Sequence, residues 1–135
     1  MRNWGPVHGD RSAEFRSEVA AFYAGFGQPH LLRAAFDEAS LYVPVTADDR
    51  VCMSRAGGVD WLCAFTSAQE FARYMVARGV SAAETYRYHI LLGSRLSEWA
   101  RTQLKPTGVS VDCVGAAPMA FPPELRKPVG EVARG

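Results

Sequence analysis

A chain of 135 residues with a hydrophobic share of 48% has the length and composition of one globular domain with a substantial core, and argues against disorder. Its 15 Lys and Arg are matched by 14 Asp and Glu along the chain, and the resulting net charge of +1 gives no electrostatic footprint for nucleic acid. No apolar run approaches a membrane span, and the N-terminal MRNWGPVHGDRSAEF has no hydrophobic signal-peptide segment, so a cytoplasmic protein is expected.

Residues 1–11, with Trp4, Pro6 and two glycines, read as an irregular leader. Asp10 or Ser12 can cap a helix running to about Ala24, with Phe15, Val19, Phe22, Tyr23 and Phe26 at helical spacing. That is more aromatic surface than a peripheral helix needs. It should bury itself on the sheet or against a second copy, as a homodimer through Phe15, Phe22, Tyr23 and Phe26. Pro29 opens a second helix whose buried side is Leu31, Leu32, Ala35, Phe36 and Ala39. His30 has Arg33 and Ala34 at i+3 and i+4, so it reads as a solvated residue rather than a metal ligand.

Leu41 to Val45 alternates as a strand, with Leu41, Val43 and Val45 on one face and Tyr42 on the other. Pro44 cannot donate to a ladder, so the strand should lie at a sheet edge or turn that position outward. A polar turn, 46–50, leads to a second strand over Val51–Ala56, and Gly57-Gly58 suits a tight hairpin into Val59–Phe65. Thr66 and Ser67 each have Gln69 or Glu70 three residues on, a doubled capping pattern, and Phe71, Ala72, Met75 and Val76 follow at helical spacing. Gly79 is a natural terminator. Tyr86 to Leu92 reads as a fourth strand, with Tyr86, Tyr88, Ile90 and Leu92 on one face and Arg87, His89 and Leu91 on the other. A helix with Leu96, Trp99, Ala100 and Leu104 runs to Lys105, and Val109–Val114 is the fifth strand. Pro118 to Pro123 should cross the domain surface, and 124–135 should fray as a tail despite its PPELRKP polyproline pattern.

The order from Val59 to Val114 is two βαβ units, which makes the third, fourth and fifth strands parallel. The expected fold class is α/β (α+β): a single mixed sheet, antiparallel strands first and βαβαβ parallel strands after, with helices packed on it and two helices at the N-terminus. Residues 12–123 form the one domain.

Leu41-Tyr42-Val43-Pro44-Val45, followed by Ala64-Phe65-Thr66-Ser67 leading into a helix at Phe71, resembles the N-terminal domain of the SseB (enhanced serine sensitivity) family. With the following strand and helix, the match covers roughly Pro29 to Pro123. The resemblance implies an α/β fold and a bacterial protein of the virulence-associated or uncharacterised kind. It brings no established catalytic residues to carry over.

Glycine-rich phosphate loops are absent: the strand-to-helix turns read Phe65-Thr66-Ser67 and Leu92-Gly93-Ser94. Cys52, Cys63 and Cys113 show no ligand spacing and read as buried, reduced thiols within strands, with a disulfide or a nucleophile as the lesser alternative. Asp48, Asp49 and Asp60 supply too few oxygens for calcium. Trp61 reads as core or interface. If the fourth and fifth strands are neighbours, His89 and Asp112 meet on one face, an imidazole oriented by a carboxylate but with no nucleophile beside it. The candidate binding surface is therefore Tyr42, Arg87, His89, Ser110 and Asp112.

The expected function is a non-enzymatic cytoplasmic protein-interaction module, with no cofactor, metal, nucleic acid or membrane. The alternative is a small-molecule-binding protein or hydrolase centred on His89 and Asp112. An enzyme should show a concave pocket around His89; an interaction module should show a flatter amphipathic surface.

Overall fold

The computed structural model describes residues 12–45, 50–79 and 87–123. The leader, most of the 46–50 turn, the connector with Tyr86 and the 124–135 tail lie outside the described residues. Two helices, α1 (Ala13–Tyr23) and α2 (Pro29–Glu38), feed the strand β1 (Ser40–Val45). The hairpin β2 (Met53–Ala56) and β3 (Val59–Ala64) comes next, then helix α3 (Ala68–Ala77), strand β4 (Arg87–Leu92), helix α4 (Gly93–Arg101) and strands β5 (Thr107–Val111) and β6 (Met119–Phe121). Among the described residues no helix is long and apolar enough to cross a membrane.

Gly57 and Gly58 both have positive φ, 62° and 79°, as a two-residue turn between twisted strands requires. β3 pairs in parallel with β5, and β5 pairs antiparallel with the short β6, which the sequence pattern does not announce. β1 pairs antiparallel with β4 in a second ladder. The two ladders meet where Tyr42 and Phe65 exchange backbone hydrogen bonds of 2.7 and 2.9 Å in an antiparallel bridge, and a second bridge joins Val45 to Val51 just before β2.

The mixed α/β architecture is present, with one correction to its strand order. β4 runs in the direction expected of it, but its neighbour is β1, so β1 and β3 separate it from β5. The reason is the burial of β1: Leu41 and Val43 are 0% exposed. A strand that deeply buried needs cover on both edges, so it occupies the place beside Phe65 and leaves the outer place to β4. Pro44 does not make β1 an edge. Its carbonyl accepts from the Cys52 amide, so its missing N–H falls on the β2–β3 side and leaves the β4 ladder intact.

The helices divide unequally between the two faces. Leu41, Val43, Leu62, Ala64, Val109 and Val111 face a core closed by Phe15 and Val19 of α1, Leu32 and Phe36 of α2, and Leu96 of α4. The Phe36 ring stacks on Phe121 at 4.2 Å. On the opposite face Cys63 and Phe65 are covered by Phe71 and Tyr74 of α3. Gly93 is fixed by close approach, since a Cβ there would lie 1.9 Å from the Phe36 carbonyl oxygen.

Several side-chain assignments move. Phe15 is buried in its own core, whereas Phe22, Tyr23 and Phe26 are exposed, so the α1 stripe splits halfway. In α3 the buried pair is Phe71 and Tyr74, and Val76 is exposed. α4 ends at Arg101, leaving Leu104 fully exposed, and β5 starts at Thr107 and stops before Asp112. Cys52 and Cys113 lie just outside β2 and β5, half-buried, and only Cys63 is both buried and within a strand.

Phe36→Ala and Phe71→Ala should each destabilise the fold by about 3–5 kcal/mol, the usual cost of deleting a buried ring. Urea unfolding of the two variants checks this; a loss below about 1 kcal/mol for Phe71→Ala would mean that α3 does not seal its face.

Candidate functional site

The carboxyl ends of the parallel pair β3 and β5 open side by side, the place where sheets of this kind hold ligands. Beyond β3 the chain turns through Thr66 and Ser67 into α3, and the Ser67 hydroxyl caps that helix by accepting from the Glu70 amide at 3.1 Å. Beyond β5, Asp112 adopts a left-handed conformation with φ of 53°, which Asp tolerates better than most residues. This conformation carries its carboxylate to Thr66, whose amide and hydroxyl donate to its two oxygens at 2.9 and 2.7 Å.

The start of α1 closes over the same point. The Ser12 hydroxyl donates to the Thr66 carbonyl at 3.4 Å, and Arg16 donates to the Ser12 hydroxyl at 2.8 Å. Between these groups lies a cleft of about 680 Å³ with Arg16, Tyr42, Thr66, Glu70, Ile90 and Asp112 in its wall. Glu70 turns one carboxylate oxygen, Oε1, inward with no hydrogen-bond partner, close against Gly115.

Burial pushes the Asp112 carboxyl above its ordinary acidity, the two Thr66 hydrogen bonds pull it back, and the nearby Glu70 carboxylate adds to the rise. Both Asp112 oxygens are already engaged, so the residue clamps the two strand ends together and is not aimed at a substrate. Three of the hydroxyls in the wall are engaged too: Ser67 with its helix, Ser12 and Thr66 with the clamp. None of these three is placed as an activated nucleophile.

The structure brings together only part of the candidate surface. Tyr42 and Asp112 share the cleft. His89 and Arg87 do not reach it, because they sit opposite Val43 and Val45 in the β1–β4 register, on the other face of the strand from Tyr42. Both are exposed. Ser110 lies opposite Cys63, close to Cys113. The expected meeting of His89 with Asp112 does not occur, for the strand-order reason given above. Asp60 is held by Arg55 at 2.7 Å, and Asp48 and Asp49 lie outside the described residues. Among the described residues no group of three or more His, Cys, Asp or Glu is placed to hold a metal.

Next to the cleft, β4 offers a different kind of surface. Its residues Arg87 to Ile90 are all exposed, and Tyr88 and Ile90 stand on the Tyr42 side at 45% and 55% exposure. The Tyr88 ring lies 5.1 Å from Tyr42 and 5.9 Å from Phe71, so its inner edge is packed while the rest is open. Sequence reasoning missed Arg16, Thr66 and Glu70. The doubled capping pattern at Thr66 and Ser67 marked the turn, but only the left-handed Asp112 shows what the turn is tied to.

A carboxyl with a raised folded pKa holds its proton more tightly in the folded chain. Asp112 therefore favours folding at low pH, and that contribution is lost as pH rises from the ordinary aspartate value of 3.8 through the folded value. Asp112→Asn keeps the left-handed preference and removes the titration. The melting temperature of this variant relative to the parent should rise as the pH is raised above the ordinary aspartate value of 3.8; a difference that stays flat would show that the carboxyl is not strained by its burial.

No family model, curated protein or solved structure matches this chain.

Proposed function

We propose that this domain is a cytoplasmic protein-interaction module of the SseB-like, virulence-associated type, and that it docks an extended segment of a partner protein along β4. The observation that carries this reading is the exposure of β4 on both faces together with its place in the ladder. Tyr42 and Pro44 direct their backbone groups toward β3 and Cys52, so the odd-numbered residues of β1 face β4. By the alternation of a strand, Tyr88 and Ile90 then turn their N–H and C=O groups outward. Among the described residues no strand lies on that side. An added strand would gain main-chain hydrogen bonds from these two residues and apolar contact with their side chains. His89 stands on the other face of β4 from Ile90, which lines the cleft, so this reading does not draw on a His89–Asp112 pair.

The test compares two fold-verified variants with the parent chain. Ile90→Lys should lose a partner that is captured from native lysate by the parent and by Arg73→Glu, a change on the exposed side of α3. An identical captured set for all three would sink the β4 assignment. The polar cleft at Asp112 favours a second reading, a small polar ligand held by Arg16 and Tyr42; in that case Arg16→Ala, and not Tyr88→Lys on the docking face outside the cleft wall, abolishes the ligand's thermal stabilisation of the fold.

Self-association is part of the same proposal, through a separate surface. Phe22, Tyr23 and Phe26, the last 79% exposed, cluster at the end of α1. Phe15 takes no part, because it belongs to the core. The full chain should sediment as a dimer at micromolar concentration, and Phe26→Ser should return it to a monomer. A parent chain that sediments as a monomer throughout would rule the contact out.

A further inference from the structure

The face covered by α3 gathers all three cysteines of the chain. Two of them are opposed across the hairpin. The β2–β3 register pairs Met53 with Leu62, which sets Cys52 directly opposite Cys63, and the Cys63 amide donates to the Cys52 carbonyl at 3.1 Å. The Cys52 amide turns the other way, to the Pro44 carbonyl, so the two residues share a single backbone hydrogen bond; residues opposed on neighbouring antiparallel strands lie about 4.5–5.5 Å apart at Cα, inside the range a disulfide spans. The Tyr74 hydroxyl lies 3.8 Å from both sulfurs, and accepts from Arg78 at 2.7 Å, so its own proton is free to point at a sulfur.

We propose that Cys52 and Cys63 form a reversible oxidation site, in which a peroxide oxidises Cys52 and Cys63 resolves it as a cross-strand disulfide. The two cysteines differ in the way this chemistry needs. Cys52 is half-buried and open to a small oxidant, whereas Cys63 is buried and reaches only its neighbours. The neighbouring Cys63 thiol, the Tyr74 hydroxyl and the Arg78 charge bring Cys52 down to about 6 against the opposing effect of burial. The Cys52 sulfur beside it and burial push Cys63 up.

The Cys52 thiolate attacks one peroxide oxygen; the O–O bond breaks, a sulfenic acid forms, and the peroxide leaves reduced, as water in the case of hydrogen peroxide. The Cys63 sulfur then displaces hydroxide from the Cys52 sulfur. The S–S bond forms as the S–O bond breaks, and the Cys63 proton leaves with the hydroxide as a second water. Two thiols are oxidised by two electrons and one peroxide is reduced by two. A thiol reductant reverses the step by exchange.

The test uses the reduced full chain and equimolar hydrogen peroxide, followed by denaturation, alkylation and peptide mapping. One peptide pair joining Cys52 to Cys63 should appear, with Cys113 alkylated. Cys63→Ser should instead leave a Cys52 sulfenic acid that a cyclic 1,3-diketone traps, and Tyr74→Phe should slow oxidation of Cys52 several-fold. Should Cys63→Ser fail to fold, Cys52→Ser supplies the same information, because it should leave Cys63 reduced under the same treatment. A disulfide through Cys113, oxidation of Cys63 in Cys52→Ser, or native Cys52 reacting no faster than in the urea-unfolded chain would each overturn the proposal.

Discussion

The hydrogen bonds exchanged by Tyr42 and Phe65 join two ladders that otherwise share no strand. The position of everything on the α3 face follows from that bridge. It sets β1 beside the end of β3, which pushes β4 outward and denies it a place next to β5. It also turns Tyr42 to the face where Phe65 lies, so that Tyr42, Tyr88 and Ile90 line up with Phe71 and not with the larger core.

The unequal cover of the sheet is the second consequence. Three helices close one face, and their buried rings, Phe15 and Phe36 with Phe121 beside them, leave no open apolar area at its centre. A single helix of ten residues covers the other, and it spans only about 15 Å. Its Phe71 and Tyr74 cover Cys63 and Phe65, and Phe71 touches the inner edge of Tyr88, but the rest of the Tyr88 ring and Ile90 stay open. The exposed Tyr88 and Ile90 are what remains uncovered when one short helix is laid over a sheet wider than itself.

Much of this was legible in the residues. Alternation in Leu41–Val45, the Gly57-Gly58 turn and the capping serine before Ala68 each state their local structure, because each depends on neighbours in sequence. Strand order was not legible. Hydrophobic alternation reports which strands are half-buried, not which lie adjacent, and the βαβ pattern offers β3 as the natural neighbour of β4. The candidate surface failed at the same point: Tyr42 and His89 were assigned one face by counting along separate strands, while the Val43–His89 register puts them on opposite faces. The Thr66–Asp112 clamp was out of reach for a related reason. It joins residues 46 positions apart through a left-handed backbone angle that no local pattern announces.

The polar groups around Asp112 look like a catalytic set until their hydrogen bonds are counted. Thr66 gives both its amide and its hydroxyl to the carboxylate, and its carbonyl receives Ser12, which is itself held by Arg16. Each donor and acceptor in that chain is used to tie α1, β3 and β5 at one point, and a buried polar group so engaged contributes to order more than to reactivity. The sulfurs under α3 are in the opposite condition. Their partners are weak and at 3.8 Å or more, the one strong hydrogen bond goes from Arg78 to Tyr74, and the pair lies across a hairpin where bond formation needs little backbone movement. Chemistry is therefore better placed at Cys52 and Cys63 than at Asp112, even though Asp112 lines the cleft.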